Sequence, residues 1–241
     1  MLCNFGGFVP LSTVDWRGRS VAVIFFRGCP ARCFYCHNPA IATGIDQHPI
    51  ATILDHVREA RPFISGVVIS GGEATAQPDA LMQLCRECRE LGLATGIHTN
   101  GMFPETVHRL IDRDLIDHIA LDLKTTWDRY PAMTGMDPGP VQATLARCID
   151  AYQSGYLKEC EAVTTLFRGY EADVQTIATC LPDDLPYVVQ QGVCRRIRPL
   201  TAAEIEQAVA PLTRSVLIRT RQAGQYEYHR TLVTDHDIRN S

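Results

Sequence analysis

Six short apolar runs, each followed by a stretch with one apolar face, constrain this chain more than any other feature. The runs are residues 20–26, 66–70, 93–98, 116–123, 161–167 and 187–191. Continuous apolar runs of this length suit strands buried on both faces. Between them lie helical stripes. Ile50, Ile53, Leu54 and Val57 form the first, stopped by Pro62. Pro78 opens the second, with Leu81, Leu84, Cys85, Cys88 and Leu91 on one face and Gly92 as its stop. Pro104 opens the third, carrying Val107, Leu110 and Ile111. Residues 140–154 turn Val141, Leu145, Cys148, Ile149 and Tyr152 inward, and Val174, Ile177, Ala178 and Leu181 mark the fifth. Thr201 and Glu204 form a capping box before Ile205, Ala208 and Val209. Such alternation specifies an α/β fold, a parallel sheet with helices outside it. Six units fall short of the eight that close a barrel. The expectation is an open, partial (β/α)6 TIM-like barrel over residues 20–212, within a single domain of 1–241. Residues 1–19 read as a short N-terminal extension and turn. Residues 213–241 read as a C-terminal hairpin, 216–221 against 225–230 turning at Ala223-Gly224, and a polar tail beyond Val233.

Composition narrows the function. A net charge of −4 with no basic run gives no reason to expect nucleic acid. No apolar stretch approaches the roughly 18 residues that span a bilayer, so no membrane role is expected. The N-terminus lacks the positive and apolar regions of a signal peptide. Ten cysteines without an export signal point to reduced thiols, metal binding and the cytoplasm.

Three of those cysteines, Cys29, Cys33 and Cys36, stand in a C-x3-C-x2-C loop directly after the first apolar run. Thiolates select iron–sulfur clusters, zinc or copper(I). Cubane clusters have four irons, and three local cysteines leave one iron open unless a fourth ligand comes from elsewhere. Zinc held by these cysteines and His37 is the main alternative, but adjacent Cys36 and His37 can hardly serve one tetrahedral ion without strain. Cys85 and Cys88 lie on a helix's apolar stripe and read as core, as does Cys148. Cys160, Cys180 and Cys194 show no ligand spacing, which leaves an auxiliary cluster open only through spatial convergence. His56, His108 and His118 read as surface or core residues on or beside helices.

In parallel α/β sheets chemistry gathers at the C-terminal ends of the strands. Here those ends carry the cysteine loop, Gly71-Gly72-Glu73, His98-Thr99-Asn100-Gly101, Asp122-Leu123-Lys124, Thr164-Thr165 and Gln190-Gln191. Two glycines let backbone approach a ligand closely, and their carbonyls with the Glu73 carboxylate can accept from an ammonium. Lys124 can meet a carboxylate as a point charge. A ligand with both groups fits between them.

Taken together, the cysteine spacing with its aromatic Tyr35 and the Gly-Gly-Glu motif resemble the radical S-adenosylmethionine (SAM) superfamily. Asp15-Trp16, Cys36-His37-Asn38-Pro39, Thr99-Asn100-Gly101 and Asp122-Leu123-Lys124 resemble the glycyl-radical-enzyme activases within it. Over residues 5–230 the likeness is nearest to the activating proteins of anaerobic ribonucleoside-triphosphate reductase. That resemblance implies a [4Fe-4S] cluster on Cys29, Cys33 and Cys36, with SAM on the open iron. It implies Tyr35 against the adenine, Gly71, Gly72 and Glu73 on the SAM amino group, and Lys124 on its carboxylate. Asn100 and Gln190 would lie near the ribose, Asp122 beside a monovalent cation, and Asp15 and His37 against the partner's glycine loop. The implied partners are a glycyl radical enzyme, anaerobic ribonucleotide reductase foremost, and a flavodoxin- or ferredoxin-type electron donor. His98 stands where some activases have a cation-binding Asp, and Val163 where relatives often have an Arg. Arg17 and Ala74 replace common prolines. Two other readings are a radical SAM enzyme acting on a small molecule, of the modified-purine synthase type, and a non-enzymatic iron–sulfur or zinc protein.

Overall fold

The computed structural model describes residues 1–194 and 197–228; the expected hairpin end at 229–230 and the polar tail beyond Val233 lie outside the described residues. Among these are ten strands: β1 (Leu2–Ser12), β2 (Val21–Phe26), β3 (Gln47–Pro49), β4 (Gly66–Gly71), β5 (Ala94–Thr99), β6 (His118–Asp122), β7 (Glu159–Leu166), β8 (Tyr187–Gln191), β9 (Val216–Thr220) and β10 (Gly224–Tyr228). The helices are α1 (Ile50–Ala60), α2 (Pro78–Glu90), α3 (Pro104–Asp112), α4 (Tyr130–Thr134), α5 (Gly139–Gln153), α6 (Glu171–Ala178) and α7 (Ala202–Val209). No helix among the described residues is long and apolar enough to cross a membrane.

One sheet orders the strands β10-β9-β8-β7-β6-β5-β4-β2-β1-β3. From β2 to β9 every neighbouring pair is parallel. β3 and β10 form the two free edges, so the barrel stays open, as six units imply. The six expected runs are β2, β4, β5, β6, β7 and β8. β9, expected only as half of a hairpin, also joins the sheet as a seventh parallel strand. Capping explains where some helices start. Proline opens α2 and α3, where a missing N–H costs nothing. Both bonds of the Thr201–Glu204 capping box are made at α7.

Residues 2–12, expected as a loose extension, instead form β1, antiparallel to β2 on one side and to the short β3 on the other. Glycines and proline disguise it. Pro10 falls within a register shift between Val9 and Ser12, where pairing is interrupted and no ladder donor is needed. His118, expected beside a helix, opens β6.

Strand alternation divides the core. Ile24, Phe26, Val67 and Ile69 pack with Leu81, Leu84, Cys85 and Cys88 from α2, all without exposure. Cys85, Cys88 and Cys148 are therefore packing residues, each worth part of the usual ~1.5–3 kcal/mol of a buried apolar side chain. Val21, Val23 and Val68 face the other way, into the lumen. There Trp16, read as part of a turn, is 1% exposed. Its ring stacks on His118 with centroids 4.8 Å apart, Arg19 lies 4.8 Å over it, and its Nε1 donates to Glu159 at 2.8 Å.

Candidate active site

The strand ends meet around a cleft of about 280 Å3. Asp15 reaches its wall from the segment after β1. Cys29, Cys33, Tyr35, Cys36 and His37 come from the loop after β2, and Gly71, Gly72 and Glu73 from the end of β4. Asn100 follows β5, Asp122 and Lys124 end and follow β6, and Gln190 lies on β8. All the residues expected at a site from sequence thus line one cavity. His98, Thr99, Val163 and Arg219 line it too. Arg219 was missed, although alternation along β9 carries the signal: Val216, Ile218 and Thr220 are buried on one face, which leaves Leu217 and Arg219 on the other.

The two glycines are needed first by the protein itself. Gly71 has φ +127°, and a Cβ there would stand 2.1 Å from the Phe26 carbonyl oxygen; at Gly72 it would stand 2.3 Å from that of Gly28. The Gly72 N–H donates to Phe26 O at 2.9 Å and that of Glu73 to Gly28 O at 2.8 Å. The end of β4 is thereby pressed onto the start of the cysteine loop. Glu73 is 2% exposed. Its Oε1 accepts from the Thr75 N–H at 3.0 Å, the Thr99 hydroxyl at 2.8 Å and the Thr75 hydroxyl, while Oε2 accepts from the Asn100 N–H at 2.7 Å. Burial pushes its pKa up and these donors pull it back. The carboxylate therefore ties β4 to β5, and Oε2, with one partner, keeps room for a further donor.

Lys124 is largely buried, with Nζ 3.1 Å from Asp122 Oδ2. Burial opposes its charge, but Asp122, Tyr35 and Cys33 outweigh that and hold its pKa well above the ordinary value. The ammonium at Asp122 is thus the protein's own. Tyr35 packs on Phe167 at 4.6 Å and meets Phe34 edge-on at 5.1 Å. With its ring so occupied and 7% exposed, mainly its backbone is left for a ligand. Asn100 Nδ2 lies 3.6 Å from Cys29 Sγ, and its Oδ1 accepts from the Met102 N–H. His98 Nε2 donates to the Asp15 carbonyl at 2.8 Å, and His37 Nε2 to that of Val193 at 3.2 Å. Both ends of the mouth are tied down.

Backbone bonds pin the cysteine loop at its flanks: Gly28 N to Ile41 O at 2.8 Å, Cys29 N to Ala42 O at 2.9 Å and Arg32 N to Thr134 O at 2.8 Å. Cys29 and Cys33 are half-buried and Cys36 is exposed. Burial pushes Cys29 up to about 11 and raises Cys33, which Lys124 pulls back. Among the described residues no three His, Cys, Asp or Glu side chains are already gathered as a metal site. The donor set nevertheless fits an iron–sulfur cluster: three soft thiols from one loop on the wall of one cleft, which must lose their protons as metal binds.

The sequence profile of the radical SAM superfamily matches residues 23–180. A protein of Methanocaldococcus jannaschii named for glycyl-radical enzyme activation is 33% identical over 192 residues, covering 77% of this chain and 78% of that protein. The pyruvate formate-lyase 1-activating enzyme of Escherichia coli is 34% identical over 125 residues, 48% of this chain and 50% of that enzyme. Among solved structures, a radical SAM methyltransferase from Sphaerobacter thermophilus is similar in fold, with TM-score 0.67 at 16% identity over 85% of this chain and 67% of that one.

Proposed function

Because the chain belongs to the radical SAM superfamily, we propose that it is a cytoplasmic activating enzyme that forms a glycyl radical on a partner enzyme, anaerobic ribonucleotide reductase foremost. The family works with a [4Fe-4S] cluster and SAM. Cys29, Cys33 and Cys36 would hold three irons of the cluster. The carbonyls of Gly71 and Gly72, with Glu73 Oε2, would take the SAM ammonium, and Lys124 its carboxylate. The Tyr35 backbone would lie along the adenine, with Asn100 and Gln190 toward the ribose. When bound, the cluster and SAM would supply one-electron reductive cleavage of SAM to methionine and a 5′-deoxyadenosyl radical, the electron coming from a flavodoxin- or ferredoxin-type donor. Asp15 and His37, fixed at the mouth by His98 and the Val193 carbonyl, would border the place where a glycine Cα–H is presented.

What supports this reading is that residues from six separate segments, all expected for such a site, line a single cleft. The test is anoxic: reconstituted enzyme, SAM, dithionite and the purified large subunit of an anaerobic ribonucleotide reductase, with pyruvate formate-lyase in parallel. The expected result is 5′-deoxyadenosine together with a glycyl radical by electron spin resonance. Deoxyadenosine without a radical on either partner would sink the activase reading, and an intact cluster without SAM cleavage would sink the enzyme.

A further inference from the structure

Asn100, expected beside a ribose, reaches the cysteine loop as well. Its Nδ2 donates to Cys29 Sγ at 3.6 Å. Among the described residues this is the one side-chain hydrogen bond made to Cys29, Cys33 or Cys36.

Its surroundings leave that donor little freedom. Oδ1 accepts from the Met102 N–H at 3.1 Å, so the amide cannot turn over without setting its oxygen against sulfur and its NH2 against another donor. The Asn100 N–H donates to Glu73 Oε2 at 2.7 Å, and the residue is 5% exposed. Glu73 in turn accepts from Thr99 at 2.8 Å, and its own N–H donates at 2.8 Å to the carbonyl of Gly28, the residue before Cys29. Donor and thiol are therefore held in one frame made by β4, the end of β5 and the start of the loop.

The consequence is electrical. When a cluster is reduced, one electron enters and no bond to the protein breaks, so the added negative charge spreads over its sulfurs, the cysteine ligands included. A donor N–H on a thiolate stabilises the more negative form more, which raises the reduction potential. The Glu73 carboxylate works the other way, because a nearby negative charge opposes an incoming electron. Asn100 stands between the two, with its backbone N–H on the carboxylate and its amide on the sulfur. Such bonds count for more in a half-buried site than in water. Only one amide hydrogen is used, so the other stays free for a ribose oxygen.

Resting on the [4Fe-4S] cluster of the reading above, we propose that Asn100 tunes electron entry: its amide, locked by Met102, raises the reduction potential at the Cys29 corner. It is a positioning residue that acts through Cys29, and its task there is separate from any contact with SAM.

The test is a redox titration of the reconstituted enzyme without SAM or partner, followed by electron spin resonance of the reduced cluster. Asn100→Ser keeps an oxygen for the Met102 N–H but is too short to reach the sulfur. The expected result is a ratio of reduced to oxidised cluster, at a fixed potential, lowered about threefold or more; a smaller change, or a rise, would overturn the proposal. If that variant takes up no cluster, pulsed electron spin resonance of the reduced wild-type residue carries the test. With asparagine labelled by 15N in its side-chain amide, and Asn38→Gln removing the loop's other label, a 15N coupling to the cluster is expected, and its absence would overturn the proposal. Either failure leaves the activase reading intact, since neither measurement involves SAM or a partner. A wild-type chain that takes up no [4Fe-4S] cluster overturns both.

Discussion

Gly71 and Gly92 both sit at positive φ, +127° and +77°, but only Gly71 has neighbours where a Cβ would go. Comparing them separates backbone strain from lack of space. Gly92→Ala meets nothing within 4 Å and should cost the ~1–2 kcal/mol of an unfavourable conformation alone. Gly71→Ala drives a methyl into the Phe26 backbone and should cost about 3 kcal/mol or more beyond that, since backbone cannot turn aside as a side chain can. Thermal melts of the two variants measure the difference. Equal losses would mean that the close approach of β4 to the cysteine loop is not what Gly71 is for. This is also where the motif was only half legible. Gly-Gly-Glu was readable as a ligand clamp, but its first task, binding β4 to β2 and β5, depends on Phe26, Gly28 and Thr99, which no local pattern links to it.

Elements were legible where burial on both faces made the sequence continuously apolar, as in β2, β4 and β8. They were not where chain geometry overrides composition. β1 hides behind Gly6, Gly7 and Pro10, and β9 was recognisable as a strand while its parallel neighbour was not. The segment after β1 is the clearest case, because Trp16 looks like a turn residue until the lumen forms around it. A Cβ at Gly96 would lie 3.1 Å from the Trp16 ring, so β5 has been left bare to receive it. Trp16 thus fills part of the lumen below the site, over β2, β4, β5 and β6, and it carries Asp15 to the mouth. Trp16→Ala should cost ~3–5 kcal/mol, as for other large buried aromatics. It should also loosen the His98–Asp15 contact, so partner KM should rise more than the affinity for SAM falls. Denaturant unfolding and partner titration check the two effects. A loss below about 1 kcal/mol would show that the segment is only draped over the sheet.

Across the whole molecule, the acidic side of the stability curve should be set by the lumen below the site. His118 is 5% exposed, neither ring nitrogen has a partner, and burial, with His98, Arg219 and Arg19 nearby, pushes its pKa down to about 3. The unfolded chain's histidine titrates near 6.5. Because the folded value is the lower one, the unfolded state gains the proton first, and stability falls as pH drops from about 6.5 toward 3. Asp117 adds a second, later loss. It is buried at the N-terminal end of the sheet, accepting from Thr95 N–H at 3.0 Å, Arg89 at 2.9 Å and Lys158 at 2.6 Å. Burial raises its pKa, but Lys158, Thr95 and Arg89 outweigh that and hold it below the ordinary value. Its contribution is therefore full above about pH 4 and lost below it. The two can be separated by His118→Phe, which keeps a ring on Trp16 and forfeits no hydrogen bond. That variant should match wild type at pH 7.5 and lack its decline between pH 6.5 and 5, a gap of about 2 kcal/mol at the lower end at ~1.4 kcal/mol per pH unit. Below pH 4 both proteins should fall together through Asp117. Unfolding free energies measured across this range decide it, and parallel curves from pH 7.5 to 5 would mean that His118 takes up its proton in the folded lumen.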